Sequence, residues 1–281
     1  MVDRASGGGT VTIDLRRFDF IDLYGMLGIL YACADIRDRY RAEVQLQVAD
    51  EKACSFLPRA GFFDVLPSHV QVPNAFGANR VERMRARRGL NDDFLELTSI
   101  DSEPAIFGVL KKLFDVLHRG LRYAESDAKD LVVLLSELCH NVLDHGDGNA
   151  QGLAAMLLYK GKRGKFVQFV VGDRGPGIRS TLTRNPDYSY VQTDVQAILQ
   201  SIELGASEHR QSFRGNGLYH LKRLTFKHKG SVYVRSGAGA VFLRSDGMSR
   251  RFPECPHLSG VQFLISFPSR AQNRRVSRRR A

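Results

Sequence analysis

Three polar side chains interrupt an apolar helix pattern in SELCHNVLDHG (Ser136–Gly146). Glu137, Asn141 and His145 recur every fourth residue and so share one helical face. Beside them Leu131, Leu134, Leu135, Leu138 and Val142 form a stripe at helical spacing. A carboxylate on such a face can accept a proton, and a carboxamide oxygen can ligate a hard cation. Two further stretches carry chemistry. VVGDRGPGI (Val171–Ile178) places Asp173 at the exit of an apolar strand, followed by Gly175 and Gly177. RGNGLYHLKRL (Arg214–Leu224) runs a glycine-rich segment into a helix, where backbone N–H groups and the helix dipole can hold a phosphate. Taken singly, each has a plainer reading: Asp and Gly after a strand make a turn, and glycines before a helix allow close packing. Neither is a P-loop or a dinucleotide fingerprint, because the chain lacks Gly-Lys-Ser/Thr and the required glycine spacing.

The surrounding elements must position these groups. Val11–Asp22 holds a β-branched alternating run that predicts a strand, and Tyr24–Tyr40 has apolar positions at helical spacing. Ala42–Asp50 alternates as a half-buried strand, and Ala53–Pro67 reads as a short helix closed by Gly61. The result is a β-α-β-α unit over 11–72, after a flexible start at 1–10. Pro, Gly and Asn in Gln71–Arg80 break the pattern, so 73–100 reads as an Arg-rich linker. Glu103–Ala124 predicts an amphipathic helix with Pro near its start, and Ser126–Gly146 a second, with Ser126 as N-cap and Gly146 as stop. Strands are expected at Gly152–Gly161, Gly164–Asp173 and Gly260–Pro268, with a further strand region before the last. A helix is expected from near Asn216, and 269–281 reads as a basic disordered tail.

Composition sets outer bounds. A 281-residue chain with 43% hydrophobic residues has ample material for packed cores. No apolar run approaches the ~20 residues that span a bilayer, and the start has no secretory signal pattern. Cys33, Cys54, Cys139 and Cys255 are scattered without CxxC spacing, which predicts reduced thiols in a cytoplasmic protein. The net charge of +11 gathers in Asn79–Gly89 and in Ser269–Ala281. Such segments can condense on nucleic acid, but neither has interleaved aromatics for base stacking, so a solvated linker and tail are favoured over nucleic-acid binding.

Order changes the weight of the three motifs. Glu137xxxAsn141 on a helix, then Asp173xGxGly177, then Gly215xGlyLeu218 opening a helix resembles the GHKL ATPase superfamily. That superfamily includes gyrase, histidine kinases and their anti-sigma-factor relatives, and the resemblance covers roughly Glu103–Pro268. It implies a two-layer α/β sandwich over 101–268, the Bergerat ATP-binding fold, with a mixed sheet carrying helices on one face. It further implies ATP and Mg²⁺ as ligands. By resemblance Glu137 is the general base and Asn141 the magnesium ligand. Asp173 receives the adenine amino group, and Gly175 and Gly177 let backbone approach the nucleotide. Gly215, Gly217 and Leu218 belong to the phosphate-binding turn, with Arg214 and Asn216 as side-chain helpers. The segment between Ile178 and Arg214, with a helix predicted over Asp194–Ala206, corresponds to a lid that closes over ATP.

The chain departs from the pattern at Gly260-Val261, where many relatives have Gly-Thr supporting the adenine-binding aspartate. No phosphoacceptor histidine box is present: His118 reads as a surface histidine and His140 as structural. His145 either supports the neighbouring polar groups or caps the helix. The wording around Gly120–Gly146 is similar to the stand-alone kinase-like ATPases of the anti-sigma-factor type.

The N-terminal unit resembles a STAS domain, the fold of anti-sigma-factor antagonists, through a strand, an Asp22-x-x-Gly25 turn and a helix. The residue before that glycine is Tyr24 where members carry a phosphorylatable Ser or Thr, so serine phosphorylation there is excluded. Together the resemblances imply a protein serine/threonine kinase of anti-sigma-factor type acting on a protein partner, such as a STAS-type or sigma-factor regulator. The alternative is an ATP-driven switch with slow hydrolysis that uses the STAS-like part for docking. A third reading, a scaffold with a degenerate site, conflicts with the intact motif residues. Homodimerisation stays open.

Overall fold

A computed structural model describes residues 9–48, 56–73, 92–145, 152–161, 164–202 and 217–270. The protein is a mixed α/β chain that divides into two compact units, Met1–Asn91 with Glu96–Thr98, and Asp92–Leu95 with Ser99–Ala281.

In the first unit, strand β1 (Thr10–Asp14) leads to helix α1 (Leu23–Tyr40) and strand β2 (Glu43–Gln47). β1 and β2 pair in parallel, which requires the crossover that α1 supplies. A short helix α2 (Phe56–Arg59), a 3₁₀ turn at Phe62–Asp64 and strand β3 (Val70–Gln71) follow, and β3 joins the far side of β2, also in parallel. α1 buries Leu23, Met26, Leu27, Leu30 and Tyr31 at helical spacing. The Asp22-x-x-Gly25 turn has a local physical role. Asp22 is the N-cap of α1, and its carboxylate accepts the Gly25 N–H at 2.8 Å. The strand predicted over Val11–Asp22 ends at Asp14, and extended pairing does not reach the helix.

The second unit opens with strand β4 (Phe94–Ser99), within which the division falls, then helix α3 (Glu103–Asp115) continued by a π turn at Val116–Gly120. Helix α4 (Glu125–His145) starts one residue before Ser126, so Ser126 lies in its first turn rather than at its cap. Strands β5 (Leu153–Gly161) and β6 (Gly164–Gly172) form a hairpin. Helices α5 (Gly177–Leu182), α6 (Asp194–Ser201) and α7 (Gly217–Lys227) precede strands β7 (Ser231–Gly237), β8 (Gly239–Arg244), β9 (Ser249–Phe252) and β10 (Leu258–Pro268). The sheet runs β4-β5-β6-β10-β7-β8-β9.

Where the sequence suggested a mixed sheet, the pairings β5·β6, β6·β10, β10·β7, β7·β8 and β8·β9 are all antiparallel. Short links at β5–β6, β7–β8 and β8–β9 allow only hairpins. One face carries the core: Leu131, Leu135 and Leu138 of α4 and Ile106 and Leu113 of α3 pack with Met156, Phe169, Val234, Phe263 and Ile265 of the strands. Alternation then turns the residues between these strand positions to the opposite face.

A polar staple fastens the end of β10 to the start of α4. Tyr123 donates its hydroxyl hydrogen bond to the Pro268 carbonyl at 2.9 Å, and Arg270 donates to Asp127 at 2.8 Å while standing 5.0 Å over the Tyr123 ring. Arg270 also donates to Nδ1 of the fully buried His228 at 2.6 Å, which fixes that imidazole as neutral. Burial, then the Arg270 charge, push the His228 pKa down to about 4, against the opposing pull of Asp127. The unfolded chain takes up this proton at about pH 6.5, whereas the folded chain resists it. Stability from this group is therefore complete above about pH 6.5 and drains away toward pH 4. Urea unfolding is expected to show about 2–3 kcal/mol less stability at about pH 4.5 than at pH 7 from His228 alone. His228→Gln, which cannot titrate, should lack that component.

Among the described residues no helix is long and apolar enough to cross a membrane. Cys33 and Cys139 are buried free thiols whose pKa values burial pushes up to about 12, which leaves them unreactive. Cys54 lies outside the described residues, as do most of the linker, the N-terminus before residue 9 and the tail after residue 270.

Candidate functional site

The turn after β6 is held from several sides. Asp173 is 5% exposed, and its own N–H reaches the Val261 carbonyl of β10 at 3.0 Å. Its carboxylate accepts the Gly175 N–H at 2.7 Å, which folds the backbone back over the side chain. Gly177 opens α5 with φ +80, a conformation that glycine adopts without penalty. A Cβ there would stand 2.9 Å from Ser236 Oγ. That hydroxyl is buried and accepts the Ile178 N–H at 2.9 Å, satisfying one of the free amides at the start of α5. Gly260 also has positive φ, and a Cβ on it would lie 2.0 Å from the Asp173 carbonyl oxygen. Asp173, Gly175 and Gly177 thus form one compact turn on a floor of Gly260 and Ser236.

Ser236 is not singled out from sequence, and Gly260 is not read there as part of the site. Gly260 carried a signal only as the first half of the departed Gly-Thr pair. Val261 contributes its main-chain carbonyl and packs its side chain against the core, so no hydroxyl is offered there. Ser236 sits 58 residues from the turn it braces, and nothing local marks it.

On α4, Glu137 and Asn141 are both solvent-exposed, while the neighbouring Leu135, Leu138, Cys139 and Val142 are buried. The helix therefore has the two-sided character expected from its pattern, with the polar pair on the open side. His140 turns elsewhere: it donates to the Ser136 carbonyl at 2.7 Å and reaches the Glu103 carboxylate at 3.1 Å, tying α4 to the start of α3. The Ser136 carbonyl and the Glu103 carboxylate hold its pKa above the ordinary value. His118, expected at the surface, is half-buried, stacked on Phe114 and within 3.1 Å of the Tyr123 carbonyl. The side chain of His145 is outside the described residues.

The glycine-rich segment is described only from Gly217, the first residue of α7. Leu218 packs against the main core, a structural role that fixes the helix start. Arg214, Gly215 and Asn216 lie outside the described residues. The described part of the expected lid holds two helices and a small core. Residues Gly177–Leu182 and Asp194–Ser201 are helical and bury Leu182, Val191 and Ala197 in a cluster of their own. Thr193 and Gln196 cap α6 reciprocally. The Asp194 carboxylate receives the Ala238 N–H at 2.9 Å, and Gly237 and Gly239 leave room for it. Asp194 is a second anchor that sequence reasoning passed over. The expected lid region that remains, 203–214, is outside the described residues.

No group of three His, Cys, Asp or Glu residues able to hold a metal ion occurs among the described residues. The chain matches no protein-family model, and no curated protein matches it.

Proposed function

We propose that the second unit binds ATP with Mg²⁺ as a histidine-kinase-like module of the GHKL type. The observation that carries this reading is the buried Asp173 turn, built from residues far apart in sequence around a carboxylate at a strand exit. A buried carboxylate is costly unless it accepts hydrogen bonds, and an exocyclic amino group is a matched donor. Gly175 and Gly177 keep the adjacent backbone slim, which suits a flat base lying along it. The helices packed on one face of the sheet, and the exposed Glu137–Asn141 pair on α4, support the same reading.

The donor set fits a nucleotide bearing a hard cation. Asn141 offers a neutral oxygen to a magnesium ion already shared with phosphates, and that ion would neutralise phosphate charge when bound. Glu137 would accept the proton of the attacking water or hydroxyl. Gly215 and Gly217 would turn their N–H groups toward phosphate at the start of α7.

The favoured activity is phosphoryl transfer to a Ser or Thr of a partner protein, in the manner of anti-sigma-factor kinases, with the STAS-like first unit as a docking element. An ATP-driven switch with slow hydrolysis is the alternative, and γ-labelled ATP separates them: label on a partner supports the kinase, and free phosphate alone the switch. Glu137→Ala is expected to keep ATP·Mg²⁺ affinity within about threefold by calorimetry while turnover falls ~10²–10⁴-fold. Turnover at the wild-type rate in that variant removes Glu137 from the chemistry.

A further inference from the structure

We propose that the sheet face turned away from the helices, over β7, β8 and β9, is a docking surface for single-stranded nucleic acid. The linear Arg-rich clusters lack aromatics, but strand register assembles what the sequence separates. Residues directly opposite one another in antiparallel strands share a face. One cross-strand row is Leu264, Tyr233, Phe242 and Arg250, and the next is Gln262, Arg235, Ala240 and Phe252. The alternate positions Val232, Val234, Val241 and Leu243 are buried in the helix-facing core, which assigns these rows to the other side. Tyr233 and Phe252 confirm this by contact, with ring centroids 6.1 Å apart.

The surface therefore carries Tyr233, Phe242 and Phe252 on three successive strands, with Arg250 beside Phe242. Phe252 is 39% exposed, and Tyr233 and Phe242 are partly exposed. A soluble domain gains nothing in stability from leaving aromatic rings in water. Strands here lie ~4.8 Å apart, so the three rings span the reach of two or three bases. Every base has a π-face, so rings at such spacing stack a single strand without demanding sequence.

Charge selects the occupant. The exposed Arg250 side chain forms no hydrogen bond or ion pair among the described residues, whereas Arg251, opposite Val241, falls on the other face. Arg244 on the same face is paired with Asp246, so it is committed to its hairpin. β9 is an edge strand whose four residues are all exposed, so a backbone has open access from that side. Arg235 is committed as well: its guanidinium donates to the Pro256 carbonyl and its Nε is buried, beside the buried Gln262. An apolar protein partner would leave Arg250 unpaired, and a duplex would hide its bases from the rings.

The test uses the full chain with fluorescein-labelled oligo-U and oligo-dT of roughly ten nucleotides, and a duplex of equal length, read by anisotropy. Both single strands are expected to bind more tightly than the duplex. Phe252→Ala, at an exposed position, should weaken single-strand binding about five- to 150-fold with an unchanged melting temperature. Arg250→Ala should lower the salt slope by about one between 50 and 200 mM. A chain with Arg274, Arg275, Arg278, Arg279 and Arg280 replaced by alanine should keep its preference for single strands. The proposal is overturned by duplex binding as tight as single-strand binding, by wild-type affinity in Phe252→Ala, or by no binding. Loss of all binding in the tail variant overturns it as well. A preference between RNA and DNA names the natural ligand within the class.

Discussion

Asp173→Asn is expected to abolish ATP binding in calorimetry, weakening it more than about 100-fold, while the melting temperature moves by only a few degrees. The two outcomes separate because the proposed function gives the carboxylate a second duty besides holding the turn. One oxygen accepts the Gly175 N–H at 2.7 Å, and asparagine can keep that bond with its carbonyl oxygen. Its amide nitrogen must then face the incoming amino group, donor against donor. The loss is a charge-assisted hydrogen bond plus the desolvation of two unmatched donors, about 3–5 kcal/mol together. Because the group is 5% exposed, water cannot repair the mismatch. Wild-type ATP affinity in Asp173→Asn, with the fold intact, removes this turn from the nucleotide site.

What was legible in the chain was its local periodicity. The stripe Leu131, Leu135, Leu138 and Val142 is buried in α4, and the offset of Glu137 and Asn141 leaves those two exposed, because helical spacing alone fixes both faces. The parallel β-α-β of the first unit was equally readable, since a strand, a long amphipathic helix and a second strand admit few arrangements. What escaped was set by contacts distant in sequence. Ser236 and Gly260 come to Asp173 only because β10 lies between β6 and β7. Asp194 opens a helix, and its bond from the Ala238 N–H depends on the distant β7–β8 turn. The helix from Asp194 in the lid segment was readable, but the meeting of Leu182, Val191 and Ala197 in one cluster was not. The aromatic-and-arginine face was invisible for the same reason: Tyr233, Phe242 and Phe252 are neighbours only through register.

Gly260→Ala is expected to be the most damaging single methyl addition in the second unit, and a matched control isolates why. At φ +80 a residue with a Cβ loses about 1–2 kcal/mol from backbone conformation alone. Gly247, at φ +87 in the β8–β9 turn, bears that same cost, but nothing lies within 4 Å of its Cβ position. Gly247→Ala should therefore cost about 1–2 kcal/mol and no more. At Gly260 the new methyl would meet the Asp173 carbonyl oxygen at 2.0 Å, the Asp173 carbonyl carbon at 2.5 Å and Arg174 Cα at 2.7 Å. All three are backbone atoms, so no rotamer change relieves the overlap. β10 is already irregular here, its register against β7 shifting between Leu258 and Val261. The remaining escape is to push the Asp173 turn outward, which breaks the 3.0 Å bond from Asp173 N–H to the Val261 carbonyl. Stability should fall by about 3–5 kcal/mol, lowering the melting temperature by roughly 10 °C. At low temperature, where folded protein persists, nucleotide affinity should fall with it in Gly260→Ala and hold in Gly247→Ala. Equal effects of the two substitutions on stability and binding would mean that backbone strain, not the floor beneath Asp173, is what Gly260 provides.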